Sequence, residues 1–150
     1  VWFKSIEAPM LFSVTEAAWG RFKRAFKDQR SGFFICATQD GRTLALNLAF
    51  VEMARFYQAS DEEMTGNAKL DSEIVLHFLD REPQTFLVAD PVNLANVFSL
   101  LKATVDQATL IFTDECGSEV MLFTSNLVLV EAATFFVEEG YLKIHQQKLK

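Results

Sequence analysis

Asn126-Leu127-Val128-Leu129-Val130-Glu131 repeats, 79 positions on, the pattern of Asn47-Leu48-Ala49-Phe50-Val51-Glu52. The echo continues on the N-terminal side. Phe34-Ile35-Cys36 followed by Asp40-Gly41 answers to Leu110-Ile111-Phe112 followed by Cys116-Gly117. Leu11-Phe12-Ser13-Val14-Thr15 answers to Phe86-Leu87-Val88-Ala89-Asp90, each ahead of a helical pattern: Trp19, Phe22 and Phe26 in the first, Leu94, Val97 and Leu101 in the second. Self-similarity at a fixed period marks one supersecondary unit stacked on its own copy. The chain therefore reads as α+β, mostly β: two tandem copies of a small helix-plus-five-strand, β-barrel-like unit packed together. The copies run over about 15–88 and 90–147, with 1–14 completing the second, in one compact unit spanning 1–150.

A chain of 150 residues is the size of one ordinary domain. Half of it is hydrophobic and fifteen residues are Phe, enough for a core with apolar surface left for a subunit interface. The net charge of −6 gives no general attraction to phosphate backbones or anionic membranes. Two cysteines cannot build a disulfide framework, and Cys36 sits in an apolar run, so a reducing, cytoplasmic setting is expected. No apolar stretch is as long as a membrane span; residues 126–137 come nearest, and Glu131 interrupts them. No signal peptide is read, and a start at Val1 without an initiator Met reads as trimmed or incomplete.

Along the chain, Thr15 reads as the N-cap of a helix to Gln29. Phe33–Thr38 and Arg42–Leu46 form a hairpin around Gln39-Asp40-Gly41, and Phe50–Tyr57 is a third strand. Residues 59–72 read as a long exposed loop. Glu73–Leu79 and Thr85–Val88 pair across Asp80-Arg81-Glu82-Pro83. Asp90-Pro91 opens a second helix that continues from Val92 to Val105. Thr109–Thr113 pairs with Glu119–Phe123 across Glu115-Cys116-Gly117. Leu127–Val137 is expected as a long strand that turns at Glu138-Glu139-Gly140 into a last strand, Tyr141–Gln147. Val1-Trp2-Phe3 and Leu11-Phe12-Ser13-Val14 read as strands that close the second copy, within the chain or from a neighbour.

A helix followed by five short strands, with a variable loop between the third and fourth, resembles the Sm-like small β-barrels, and Asp40-Gly41-Arg42 resembles the turn that opens the Sm motif. The resemblance implies a strand-edge oligomer and, as an alternative function, binding of single-stranded nucleic acid. Where that family carries Asp-x-x-x-Asn and Arg-Gly for RNA, this chain reads Leu48-Ala49-Phe50-Val51-Glu52 and Asp80-Arg81-Glu82-Pro83.

Reactive motifs are missing from the sequence. Gly-x-Ser-x-Gly, Walker and Gly-x-Gly-x-x-Gly patterns do not occur, and no serine neighbours a His base. His77 and His145 occupy matching places in expected strands, and Glu52 and Glu131 each follow Asn-Leu-x-x-Val. Those four form the candidate polar site between the copies; a buried carboxylate there has its pKa raised by desolvation. Strand alternation predicts the opposite for Glu52 and Glu131, pointing them to solvent or to an adjacent subunit. Arg21, Lys23, Arg24, Lys27 and Arg30 concentrate cations on the first helix, the candidate contact for a nucleic acid or protein partner. Neither a catalytic set nor a metal or cofactor site is read. The expected function is that of a non-enzymatic binding or assembly protein with a homo-oligomeric or protein partner. The alternative is an Sm-like single-strand binder, and a small-molecule-binding protein or enzyme with its site between the copies ranks third.

Overall fold

The computed structural model describes residues 1–28, 31–56, 71–103 and 109–149. Its elements are β1 (Trp2–Phe3), α1 (Glu16–Asp28), β2 (Phe33–Ala37), β3 (Arg42–Asn47), a 3-10 turn (Leu48–Phe50) and β4 (Val51–Met53). Then follow β5 (Glu73–Phe78), β6 (Arg81–Leu87), α2 (Pro91–Ala103), β7 (Thr109–Thr113), β8 (Glu119–Phe123), a second 3-10 turn (Thr124–Asn126), β9 (Leu127–Ala133) and α3 (Thr134–Lys148).

β9 explains the arrangement. Leu127, Val128, Leu129, Val130, Ala132 and Ala133 are all buried. A strand apolar on both faces needs cover on both faces. It takes the middle of a five-stranded sheet ordered β2-β3-β9-β5-β6, antiparallel to β3 on one side and to β5 on the other. One face carries Ala45, Ile74, Leu76, Val130 and Ala132, packed with Leu94, Val97, Phe98 and Leu101 of α2 and with Leu110 and Phe112 of β7. The other carries Cys36, Leu44, Leu46 and Leu129, packed with Phe22 of α1 and Phe3. The layers are therefore α2 with the β7–β8 hairpin, the sheet, and α1 with the N-terminal segment.

None of the sheets closes into a barrel: β2 and β6 are the two edges, and β1–β4 and β7–β8 stand as two-stranded pairs. The edge position of β6 explains Pro83. Proline cannot donate to a ladder, so it suits an edge or a bulge, and the register shifts between Leu76 and Phe78 opposite it. The expected turn over residues 80–83 thus contracts, and β6 begins at Arg81.

The order helix, hairpin, 3-10 turn, strand occurs twice at an offset of 76, from Phe33 to Thr109 and from Val51 to Leu127. The Asn-Leu-x-x-Val-Glu echo, at 79, falls three residues out of that register: Asn47 caps the first 3-10 turn by accepting from Ala49 N, whereas Asn126 ends the second. The surroundings of the two hairpins also differ, since β2–β3 joins the large sheet and β7–β8 does not. Two equivalent copies are therefore not established. The N-terminal segment adds to the first half rather than the second. Trp2 pairs with Met53 and Phe3 with Val51, while residues 11–14 form no strand.

The largest departure from expectation is α3. Thr134–Val137 and Tyr141–Gln147 are helix, not strand. Val137 and Gly140 are buried one turn apart and Ile144 follows on the same side, so the run carries a helical face under its β-prone composition. Gly140 is not a turn residue. A Cβ there would lie 2.1 Å from the Pro91 carbonyl oxygen and 2.8 Å from Ala95 Cβ, so its missing side chain lets α3 cross α2 at close range. The third strand of the first half is also shorter than expected, because the 3-10 turn occupies Leu48–Phe50; Tyr57 lies outside the described residues. So do residues 59–70 of the expected loop and residues 104–105 of the expected second helix.

Candidate functional site

Strand register brings a chain of charged side chains onto the α1 face of the sheet. Glu131 on β9 lies beside Leu44 of β3 and Val75 of β5. Its Oε1 accepts from Arg42 NH1 at 2.6 Å and its Oε2 faces His77 Nε2 at 2.6 Å. Arg42 turns its Nε and NH2 to Asp40 at 3.0 and 2.9 Å. Asp40 also accepts from the Thr38 hydroxyl, which is itself tied to the Arg42 backbone N–H. The three charged members and His77 keep only 13–17% of their side-chain surface exposed. The chain Asp40–Arg42–Glu131–His77 thus ties the β2–β3 turn to β3, β9 and β5.

Burial by itself pushes the Glu131 carboxyl up, but the hydrogen bond and charge of His77, with those of Arg42, outweigh it and hold the group below its ordinary 4.5. Burial likewise opposes the Arg42 charge, and Asp40 and Glu131 together overcome it and raise the guanidinium. A half-buried ion that satisfies two partners is the arrangement that keeps a charge inside a sheet at tolerable cost.

Beside this chain lies a cleft of about 810 Å³. Its floor is Phe34, Cys36, Leu44 and Leu46 of the β2–β3 hairpin, and its walls are Trp19 and Phe22 of α1, residues 10–15 and Phe56. Aromatic rings order one wall: Trp19 stacks on Phe22 at 5.7 Å and on Phe56 at 5.4 Å, and Phe22 meets Phe34 edge-on. Arg42, with Asp40, forms the polar end, its guanidinium 5.3 Å from the Phe12 ring centroid. The strap over the cleft is pinned by Gln39 N donating to the Ser13 carbonyl at 2.7 Å and the Ser13 hydroxyl donating to Gln39 Oε1 at 2.9 Å. Thr15 closes the strap by accepting from Ala18 N at the start of α1. Burial raises the Cys36 thiol to about 11 against a smaller opposing pull from Arg21, so it stays protonated.

The four residues expected to share one polar site are divided. Glu131 and His77 meet; Glu52 stands exposed on β4 and His145 exposed on α3, a different face of the molecule. The matching of His145 to His77 fails because it rests on a strand where α3 stands. Glu131 is neither solvent-facing nor isolated, since alternation assigns a face and both faces of β9 are covered. Arg21, Lys23, Arg24 and Lys27 are all exposed on α1, with Arg21 5.8 Å from the Phe34 ring centroid and Lys23 5.9 Å from that of Trp19. Arg30 lies outside the described residues. Sequence reasoning missed Arg42 and Asp40 as site residues. The available signal was Glu131, a lone carboxylate in an apolar strand that required a cation. Among the described residues, no three His, Cys, Asp or Glu side chains come together as a metal site, and no helix is long and apolar enough to cross a membrane. Against family models, curated proteins and solved structures, the chain matches none.

Proposed function

We propose that this chain is a non-enzymatic binding protein and that the cleft under residues 10–15 takes an uncharged apolar group, an aromatic ring or an acyl chain. The observation that carries this reading is the pairing of an aromatic and aliphatic lining with a polar end whose groups already satisfy one another. Pockets of 300–1,000 Å³ with few polar groups suit small ligands. Arg42 is engaged by two carboxylates, so its charge is already satisfied and does not call for an anionic ligand. The protonated Cys36 thiol favours reversible binding over covalent chemistry. A duplicated ancestry fits the recurring helix–hairpin–turn–strand order but is not needed for binding.

The test is titration with the uncharged fluorescent apolar probe N-phenyl-1-naphthylamine, followed by competition with indole and with hexadecan-1-ol. Saturable binding that a competitor displaces, with a rise in thermal midpoint, is expected, because a ligand of the native state stabilises it. Val14→Trp, which puts an indole in place of a small side chain of the cleft lining, should abolish it. Binding that survives Val14→Trp, or no saturable binding, refutes the reading.

A second reading, single-stranded nucleic acid on α1, draws on the exposed Arg21, Lys23, Arg24 and Lys27. It is weaker because the Trp19 ring already stacks on Phe22 and Phe56. Oligonucleotide anisotropy that falls steeply with salt supports it; no binding at low salt removes it.

A further inference from the structure

α3 packs on α2 through the side that carries Val137, Gly140 and Ile144. On its opposite side Phe135, Leu142 and Leu149 stand 57%, 61% and 74% exposed. They are seven residues apart, so they line up along the helix with a drift of only ~20° per step. Leu149 continues the row because the C-cap keeps helical backbone angles. Charge along α3 is divided by sign: Glu138 and Glu139 belong to the N-terminal half, and Lys143 and Lys148 to the C-terminal half, with the His145 imidazole between those lysines.

We infer that this row is the seam for a second copy of the chain, with two α3 helices antiparallel about a twofold axis at Leu142. Phe135 then lies level with the partner's Leu149. A twofold axis of this kind brings each flank of the seam against the same flank of the partner. On one flank Glu139, which pairs with Lys143 of its own helix at 3.3 Å, lies within ~3 Å, along the axis, of the partner's Lys143, so the two pairs can join in one network; on the other Glu138 lies within ~1.5 Å of the partner's His145, at 1.5 Å rise per residue. Opposite signs meet on the Glu139–Lys143 flank, a carboxylate faces an imidazole on the other, and symmetry makes each contact twice. A parallel pairing sets Glu138 beside the partner's Glu139, and Glu139 beside the partner's Glu138, so charge selects the antiparallel one. The same two acids beside the seam disfavour an anionic membrane as its cover. Two heptads form a short seam, below the ~800 Å² per partner of standard interfaces, so the dimer is weak and concentration-dependent. A second exposed apolar face among the described residues, Ile111, Met121 and Phe123 on β7–β8, lies on another element and serves as the control.

Sedimentation velocity on the full chain, from low micromolar to sub-millimolar, tests the seam independently of the cleft. The expected mass rises with concentration toward twice 17.0 kDa. Leu142→Asp sets two carboxylates face to face at the axis and should hold the chain monomeric with unchanged circular dichroism and thermal midpoint. Glu139→Lys should weaken association by at least ~10-fold, and adding Lys143→Glu should restore it. Phe123→Asp should leave it unchanged. A monomer at every concentration, a dimer that survives Leu142→Asp, or one lost with Phe123→Asp overturns the seam. A dimer indifferent to Glu139→Lys overturns the antiparallel assignment.

Discussion

Replacing Gly140 by Ala should destabilise the fold even though alanine is the better helix former. The crossing of α3 on α2 leaves no room: the added methyl would sit 2.1 Å from the Pro91 carbonyl oxygen, 2.7 Å from its carbon and 2.8 Å from Ala95 Cβ. Two of those three atoms are backbone, so relief needs the helices to separate by more than 1 Å, on the order of the gap between a 2.1 Å approach and ordinary contact. Overpacking costs ~1–3 kcal/mol, and backbone obstruction places this case near the top. Alanine returns ~1 kcal/mol of helix propensity. The net expectation is a loss of ~2 kcal/mol. Gly20 in α1 supplies the opposite case, because nothing lies within 4 Å of a Cβ built there. Gly20→Ala should stabilise by up to ~1 kcal/mol from propensity alone. Urea denaturation followed by circular dichroism reads both as midpoint shifts at constant slope. If Gly140→Ala matches or exceeds the parent in stability, the close crossing is wrong, and with it the packing that orients α3.

Glu131→Gln keeps the shape of the bridge but removes the charge that Arg42 and His77 share, at an expected cost of ~1–3 kcal/mol near neutral pH. Because the folded Glu131 pKa lies below the ordinary 4.5, its contribution is complete above that value and fades as the pH falls through the lower folded pKa. The gap between parent and Glu131→Gln should therefore close in acid, and a gap in urea midpoint that persists well below pH 4.5 contradicts the assignment. Cys116 is exposed and Cys36 buried, with a thiol held at about 11, so a thiol-disulfide reagent at mildly alkaline pH should label one thiol rapidly and the second only on unfolding. Two rapid thiols would mean that the cleft floor opens.

How far the residues spoke in advance can be judged element by element. The α1 aromatic stripe, the β7–β8 hairpin at Thr109–Thr113 and Glu119–Phe123, and the Asp90-Pro91 start of α2 follow from local chemistry. Each is a periodicity or a cap realised within a dozen neighbours: Asp90, for instance, accepts from Val92 N at 3.0 Å. Of the candidate site, Glu131 and His77 stood out in sequence, but their contact did not. It depends on β9 lying between β3 and β5, although β3 ends at Asn47, β5 begins only at Glu73 and β9 only at Leu127.

Local patterning settled which segments carry an apolar face and where most of them stop, because side-chain period, capping and turn chemistry act over a few residues. Tertiary contacts settled the rest. β9 had to be central because both its faces are apolar, and Arg42 reached Glu131 only through that placement. Gly140, which reads as a turn in isolation, serves the approach of α2 instead. Thr134–Lys148 became a helix because burying Val137 and Gly140, with Ile144 half-buried on the same side, outweighs a weak local preference for strand, and the helix α2 that Gly140 meets lies some forty residues earlier in the chain.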